Sequence, residues 1–194
     1  QRFARHGRSL AATHEARPPG WSAAGFFPRL RDNIAMLRRA HAVIAAQAAD
    51  GDEPGPAAQW LLDNFYLIDA QLEAIHDGLP RGFFRRLPVL RAEPLAGLPR
   101  VYGVAWAFVA HTDSAFDETL LVAYLGAYQE MRELTLAEVW ALPTVLRVVL
   151  VENLRRLAER LATHKAAVEL ADRCAERLAR RAATALEPLH RRLA

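Results

Sequence analysis

Apolar side chains recur with a helical period through most of the chain. From Phe26 the stripe runs through Phe27, Leu30, Ile34, Leu37, Ile44 and Ala48, which predicts one amphipathic helix. Leu61, Phe65, Ile68, Leu72 and Ile75 repeat the pattern, after a loop, Gly51–Pro56, marked by its Gly and Pro residues. Gly78 is placed to stop that second helix. Pro80 is placed to start a short one, which Pro88 ends. The stretch Arg100–Thr112 is apolar on all sides, as expected of a central helix covered by its neighbours.

Asp117 can cap the next helix, whose stripe is Leu120, Leu121, Tyr124, Leu125 and Tyr128. Thr135 and Glu138 have capping-box spacing, in which each side chain reaches the other residue's backbone N–H. The long helix after them carries Trp140, Leu146, Val149, Leu150, Leu154, Leu157 and Leu161, with a kink expected at Pro143. A separate final helix is expected from about Ala166 to Leu189. No alternating strand pattern of useful length occurs. The expected fold class is all-α: a single helical bundle of six to seven helices over residues 26–194, preceded by an N-terminal arm, 1–25.

A chain of 194 residues is long enough to bury a substantial core. Its 52% hydrophobic and 24% charged residues are those of a folded rather than a disordered protein. The net charge of +3 is unevenly spread: +5 over residues 1–50, −6 over 51–150 and +4 over 151–194. The basic ends mix Arg with Glu and Leu at helical spacing, which reads as solvated helix face and not as a nucleic-acid surface. The most apolar run, from Val145, is broken by Arg147 and Glu152 and is too short to span a bilayer. The first residues hold no Met and no apolar signal core, as expected of a fragment. The one cysteine, Cys174, is read as helix packing.

Catalytic motifs are sparse. Asp50-Gly51-Asp52 has the Asp-x-Asp form that can hold a divalent metal, but lacks a preceding strand and reads as a solvated turn. Gln129-Glu130-Met131-Arg132 begins like a transferase Gln-x-x-Arg-Trp motif, yet Glu133 stands where the Trp would be. His76, His111, His164 and His190 have no ligand-bearing partner at helical spacing, so no metal site is expected. No catalytic residue is assigned.

Polar residues on apolar stripes are the remaining candidates. Asn64 adjoins Leu61 and Phe65, Asn153 lies one turn from Val149, and His111 ends the all-apolar helix beside Asp113. Buried, such groups need partners. With Asp63, Arg147 and Glu152 they are expected to form a structural or docking polar network. Trp60, Tyr102, Trp106 and Trp140 are candidate sugar-stacking aromatics, although aromatics at helical spacing commonly belong to a core.

Four ordered blocks, "WLLDNFYLI" (60–68), "LPRGFFRRLP" (79–88), "PRVYGVAWAFVAHTDS" (99–114) and "LVENLRRLAER" (150–160), resemble cyclic β-1,2-glucan synthases. The resemblance spans about Phe26 to Leu161 and is to the N-terminal cytoplasmic region ahead of the membrane-embedded glycosyltransferase core. It implies a parent enzyme that polymerises glucose from UDP-glucose, with a divalent metal at its own transferase motifs. Those motifs are not convincingly present in this chain, so the resemblance carries over a region and no catalytic site or cofactor. It further implies a place at the cytoplasmic face of the bacterial inner membrane. The partners there are the transferase core and membrane-proximal helices, with no nucleic acid. The competing expectation is a free-standing helical adaptor or binding protein that shares this module.

Overall fold

The computed structural model describes the backbone of residues 2–18, 25–51 and 53–193, and their side chains except at positions 81, 165, 166, 169 and 183–193. The described elements follow the order α1 (Arg2–Thr13), β1 (Ala16–Arg17), α2 (Phe26–Ala49), α3 (Pro56–Asp77), α4 (Arg81–Phe84), β2 (Val89–Leu90), α5 (Arg100–His111), α6 (Glu118–Gln129) and α7 (Leu136–Leu193). The all-α expectation holds, apart from a two-residue antiparallel pairing of β1 with β2, Ala16 opposite Leu90.

Three helices share α7 as their common wall. The expected stripes are the buried ones: Phe26, Leu30, Leu37 and Ile44 of α2, and Leu61, Phe65, Ile68, Leu72 and Ile75 of α3. Both helices, with α5, pack against the first half of α7, where Val145, Val148, Val149 and Val151 are buried. Helix α5 is buried almost all round, as its lack of a polar face requires. Phe26, Phe84 and Tyr102 fill the space between α2, α4 and α5, the Phe26 and Phe84 rings stacking at 5.0 Å.

The caps form as the sequence pattern suggests. The Asp117 side chain accepts a hydrogen bond from the Leu120 N–H at 3.0 Å. The Thr135 N–H donates to Glu138 Oε2 at 2.9 Å, and the Glu138 N–H donates back to Thr135 Oγ1 at 3.3 Å. Both orphan donors at the start of α7 are thereby satisfied.

Among the described residues there are seven helices, one of which lies ahead of the expected bundle. Within the segment read as an arm, Arg2–Thr13 is helical and packs on α6. Its buried residues are Gly7 and Ala11, too small to register in a search for large apolar stripes. Gly7 is needed there, because a Cβ at that position would sit 2.5 Å from the Tyr124 carbonyl oxygen. At the other end, the expected separate last helix is merged into α7, which runs unbroken for 58 residues. No Gly or Pro lies between Leu161 and Ala166 to end it. The helix also continues through Pro143. Cys174, read as packing, is exposed.

Candidate functional site

Among the described residues the core holds two buried carboxylates, both on α7. Glu152 is only 3% exposed and lies where α2, α5 and α7 meet. Arg29 of α2 donates to it twice, Nε to Oε2 at 3.1 Å and Nη2 to Oε1 at 2.5 Å. Tyr102 Oη of α5 donates to Oε2 at 2.5 Å, and Asn33 Nδ2 of α2 donates to the same oxygen at 3.3 Å. Helical spacing produces this convergence: Arg29 and Asn33 are one turn apart on α2. Burial alone would raise the Glu152 carboxyl, but the bonds from Arg29 and Tyr102 outweigh it and hold the group below the usual carboxylate range. Burial first, and then the bond to Glu152, raise the Tyr102 phenol.

Glu138 is fully buried near the start of α7. Arg100, at the start of α5, donates to both of its oxygens, at 2.8 and 2.5 Å, and to the Glu133 carbonyl at 2.9 Å. The carboxylate therefore serves the capping box and the ion pair together. A buried charge is tolerable only when so fully paired.

A histidine and tyrosine cluster joins α1 to this frame. His14 Nδ1 and Tyr128 Oη share a hydrogen bond of 3.0 Å, and both side chains are buried. Burial, aided by the nearby Arg100 and Arg132 charges, lowers the His14 pKa to about 4. Burial pushes the Tyr128 phenol up to about 12. The His6 ring of α1 stacks on His111 at 3.4 Å, and burial, then His111, lowers its pKa.

The seven polar residues singled out in the sequence do not form one network. Asp63 is exposed and accepts from Gln59 at 2.7 Å, while Asn64 donates to the Trp60 carbonyl of its own helix at 2.8 Å. His111 and Asp113 are both exposed at the end of α5, His111 bonding the Ala107 carbonyl at 3.1 Å. Arg147 reaches Gln71 of α3 at 3.2 Å. Asn153 donates to Ser114 Oγ, tying α7 to the loop after α5. Only Glu152 lies within a buried polar cluster, and its partners Arg29, Asn33 and Tyr102 were not the ones expected. Asn33 and Arg100 had a readable signal: each falls on the buried side of its helix. Arg29 and its reach across to Glu152 had none.

Nor do the four aromatics share a platform. Tyr102 is fully buried and committed to Glu152. Trp106 is half-buried and lines a small cavity of 230 Å³ with His14 and Pro94. Trp60 and Trp140 are exposed. Gly78, at the end of α3, abuts Thr144, whereas Pro56 at its start lies near Leu161, so α3 and α7 run antiparallel. Trp60 and Trp140 consequently sit near opposite ends of that pair. Of the Asp50-Gly51-Asp52 motif, Asp52 lies outside the described residues. Among the described residues no group of three His, Cys, Asp or Glu side chains is placed to hold a metal.

The site defines an all-α assembly whose buried charges fasten helices to one another. No family model matches the chain. It is 36% identical over 174 residues, 90% of its length, to cyclic beta-(1,2)-glucan synthase NdvB of Rhizobium meliloti (strain 1021). It spans only 6% of that relative's length. The chain belongs to the cyclic β-1,2-glucan synthase family as a fragment of it.

Proposed function

We propose that the chain is a noncatalytic N-terminal helical module of a cyclic β-1,2-glucan synthase, one that packs against the rest of its parent. The observation that carries this reading is the use of the buried polar chemistry. Glu152 and Glu138, the two carboxylates inside the core, are saturated by Arg29, Tyr102, Asn33, Arg100 and the α7 cap. A general acid, base or nucleophile needs access to a substrate. These groups instead join α2, α5 and α7. In the proposed parent, glucose transfer from UDP-glucose and any divalent metal belong to other regions. The module sits at the cytoplasmic face of the inner membrane, against the transferase core and membrane-proximal helices. Among the described residues no helix is long and apolar enough to cross a membrane.

The test has two arms. The purified chain, incubated with UDP-glucose and Mg²⁺ or Mn²⁺, is expected to release no UDP and to extend no glucan acceptor. Turnover above a heat-denatured control overturns the noncatalytic role. In the complete synthase, deletion of the module is expected to lower glucan output by impairing assembly. Full output without it overturns the assignment to a working module.

A further inference from the structure

The outward side of the seam between α2 and α7 forms a groove of 590 Å³. Met36 and Val43 of α2 line it, with three arginines: Arg39 from α2, Arg156 and Arg160 from α7. Their charge is not balanced locally. Glu159, which also lines the groove, is held by Arg155 at 2.5 Å. Glu152, whose charge Arg156 feels, already accepts from Arg29, Asn33 and Tyr102. Among the described residues, ion pairs are formed by Arg29, Arg38, Arg100 and Arg155 around this core, and by none of the three groove arginines.

Two features make that arrangement unfavourable without a counter-ion. Arg156 and Arg160 are four residues apart on one helix, where like charges repel. In addition, Arg156 Nε is buried with no hydrogen-bond partner, a donor left unsatisfied. Guanidinium groups lining one groove from two helices offer planar, forked donors of the kind that suit a phosphate group. At 590 Å³ the groove has room for a phosphate and a small organic group.

We propose that this groove binds a soluble, phosphate-bearing small molecule. Arg39, Arg156 and Arg160 hold the phosphate, while Met36 and Val43 support the organic part. Thr163, also lining the groove, adds a hydroxyl able to donate to a phosphate oxygen.

The test is amide-resolved NMR titration of the intact chain with inorganic phosphate, pyrophosphate and phenyl phosphate. Saturable shifts are expected at residues 39, 156, 160 and 163, with phenyl phosphate binding several-fold tighter than inorganic phosphate. Arg39→Gln and Arg160→Gln, both at exposed positions, should each weaken pyrophosphate binding about tenfold, a change of about 1.4 kcal/mol. Arg38→Gln, whose side chain pairs with Asp69, should leave it unchanged. Thermal melts verify that each variant remains folded. No saturable shift by about 10 mM pyrophosphate, a Kd too weak to matter, overturns the site. So does equal binding by wild type and both groove variants. Equal affinity for phosphate and phenyl phosphate overturns the role of Met36 and Val43. Arginine-dependent sedimentation with phosphatidylglycerol vesicles, without any pyrophosphate response, overturns a soluble ligand in favour of a lipid headgroup.

Discussion

The two halves of α7 have similar sequence character and opposite surroundings. Between Ala141 and Ala158 the helix buries Val145, Val148, Val149, Val151 and Glu152 against α2, α3 and α5. Beyond Val168 every described side chain is exposed, including Leu170 at 58% and Leu178 at 66%. Helix propensity is high in both, since Ala, Leu, Arg and Glu dominate the distal half, and Arg180 bonds Glu176 one turn away at 3.0 Å. Periodicity therefore reports that a helix can form. It does not report what covers its apolar side.

The largest effect should come from opening the proximal half. Glu152→Ala leaves the buried Tyr102 hydroxyl without its acceptor, while the half-exposed Arg29 turns to water, and is expected to cost about 3 kcal/mol. Urea denaturation of the variant beside its parent measures this; a loss under about 1 kcal/mol would show that water replaces the carboxylate freely.

Acid should weaken the proximal body next. His14 is neutral in the fold, with its pKa lowered to about 4, whereas in the unfolded chain it titrates near 6.5. As pH falls from about 6.5 toward 4 the unfolded chain takes up the proton first, so stability falls by up to about 3 kcal/mol. His6, lowered by burial and His111, acts in the same direction. Melts at pH 7 and pH 4.5 should show a smaller difference for His14→Gln than for the parent. An identical pH difference removes His14 from the account.

Smaller changes sharpen the contrast at the ends of the helix. Thr135→Ala removes one side of the capping box and is expected to cost about 1 kcal/mol. Leu178→Ser, in the distal half, should change stability by at most about 0.5 kcal/mol. A loss above about 1.5 kcal/mol at Leu178 would mean that the distal half is covered in solution by a second copy of the chain.

Much of the architecture was legible because large apolar residues recur on the faces that are buried. Leu61, Phe65, Ile68, Leu72 and Ile75 are all buried, as their spacing implies. Asp117 and the Thr135–Glu138 pair act locally, so their caps could be read from a few residues. Helix α1 was hidden because its fully buried positions are Gly7 and Ala11, leaving only Phe3 and Leu10 as large residues on its inner side. The polar core was hidden for another reason. Glu152 looked like one partner of a neighbouring Asn153, but it is met by Arg29 and Tyr102 from distant helices. Spacing within one helix cannot show which residue stands opposite it. Trp140 was read into the α7 stripe yet remains outside: Glu138, Ala141 and Leu142 are buried in the same turns, and Trp140 lies off their face, as Trp60 lies off the face of Leu61.

The place of Glu152 in the chain also has a kinetic meaning. Its bonds join positions separated by 123, 119 and 50 residues, and the helix that carries it follows α2 and α5 in the chain. At a synthesis rate of about 5–20 residues per second, Arg29 waits roughly 6–25 seconds for its carboxylate to be translated. During that interval α2, α3 and α5 have formed-helix sequences but no common wall, and their apolar sides stay open. Closure of so long a loop contributes an entropic barrier that local helix formation does not relieve. Helices α2, α3 and α5 therefore depend on the emergence of α7 to become one body.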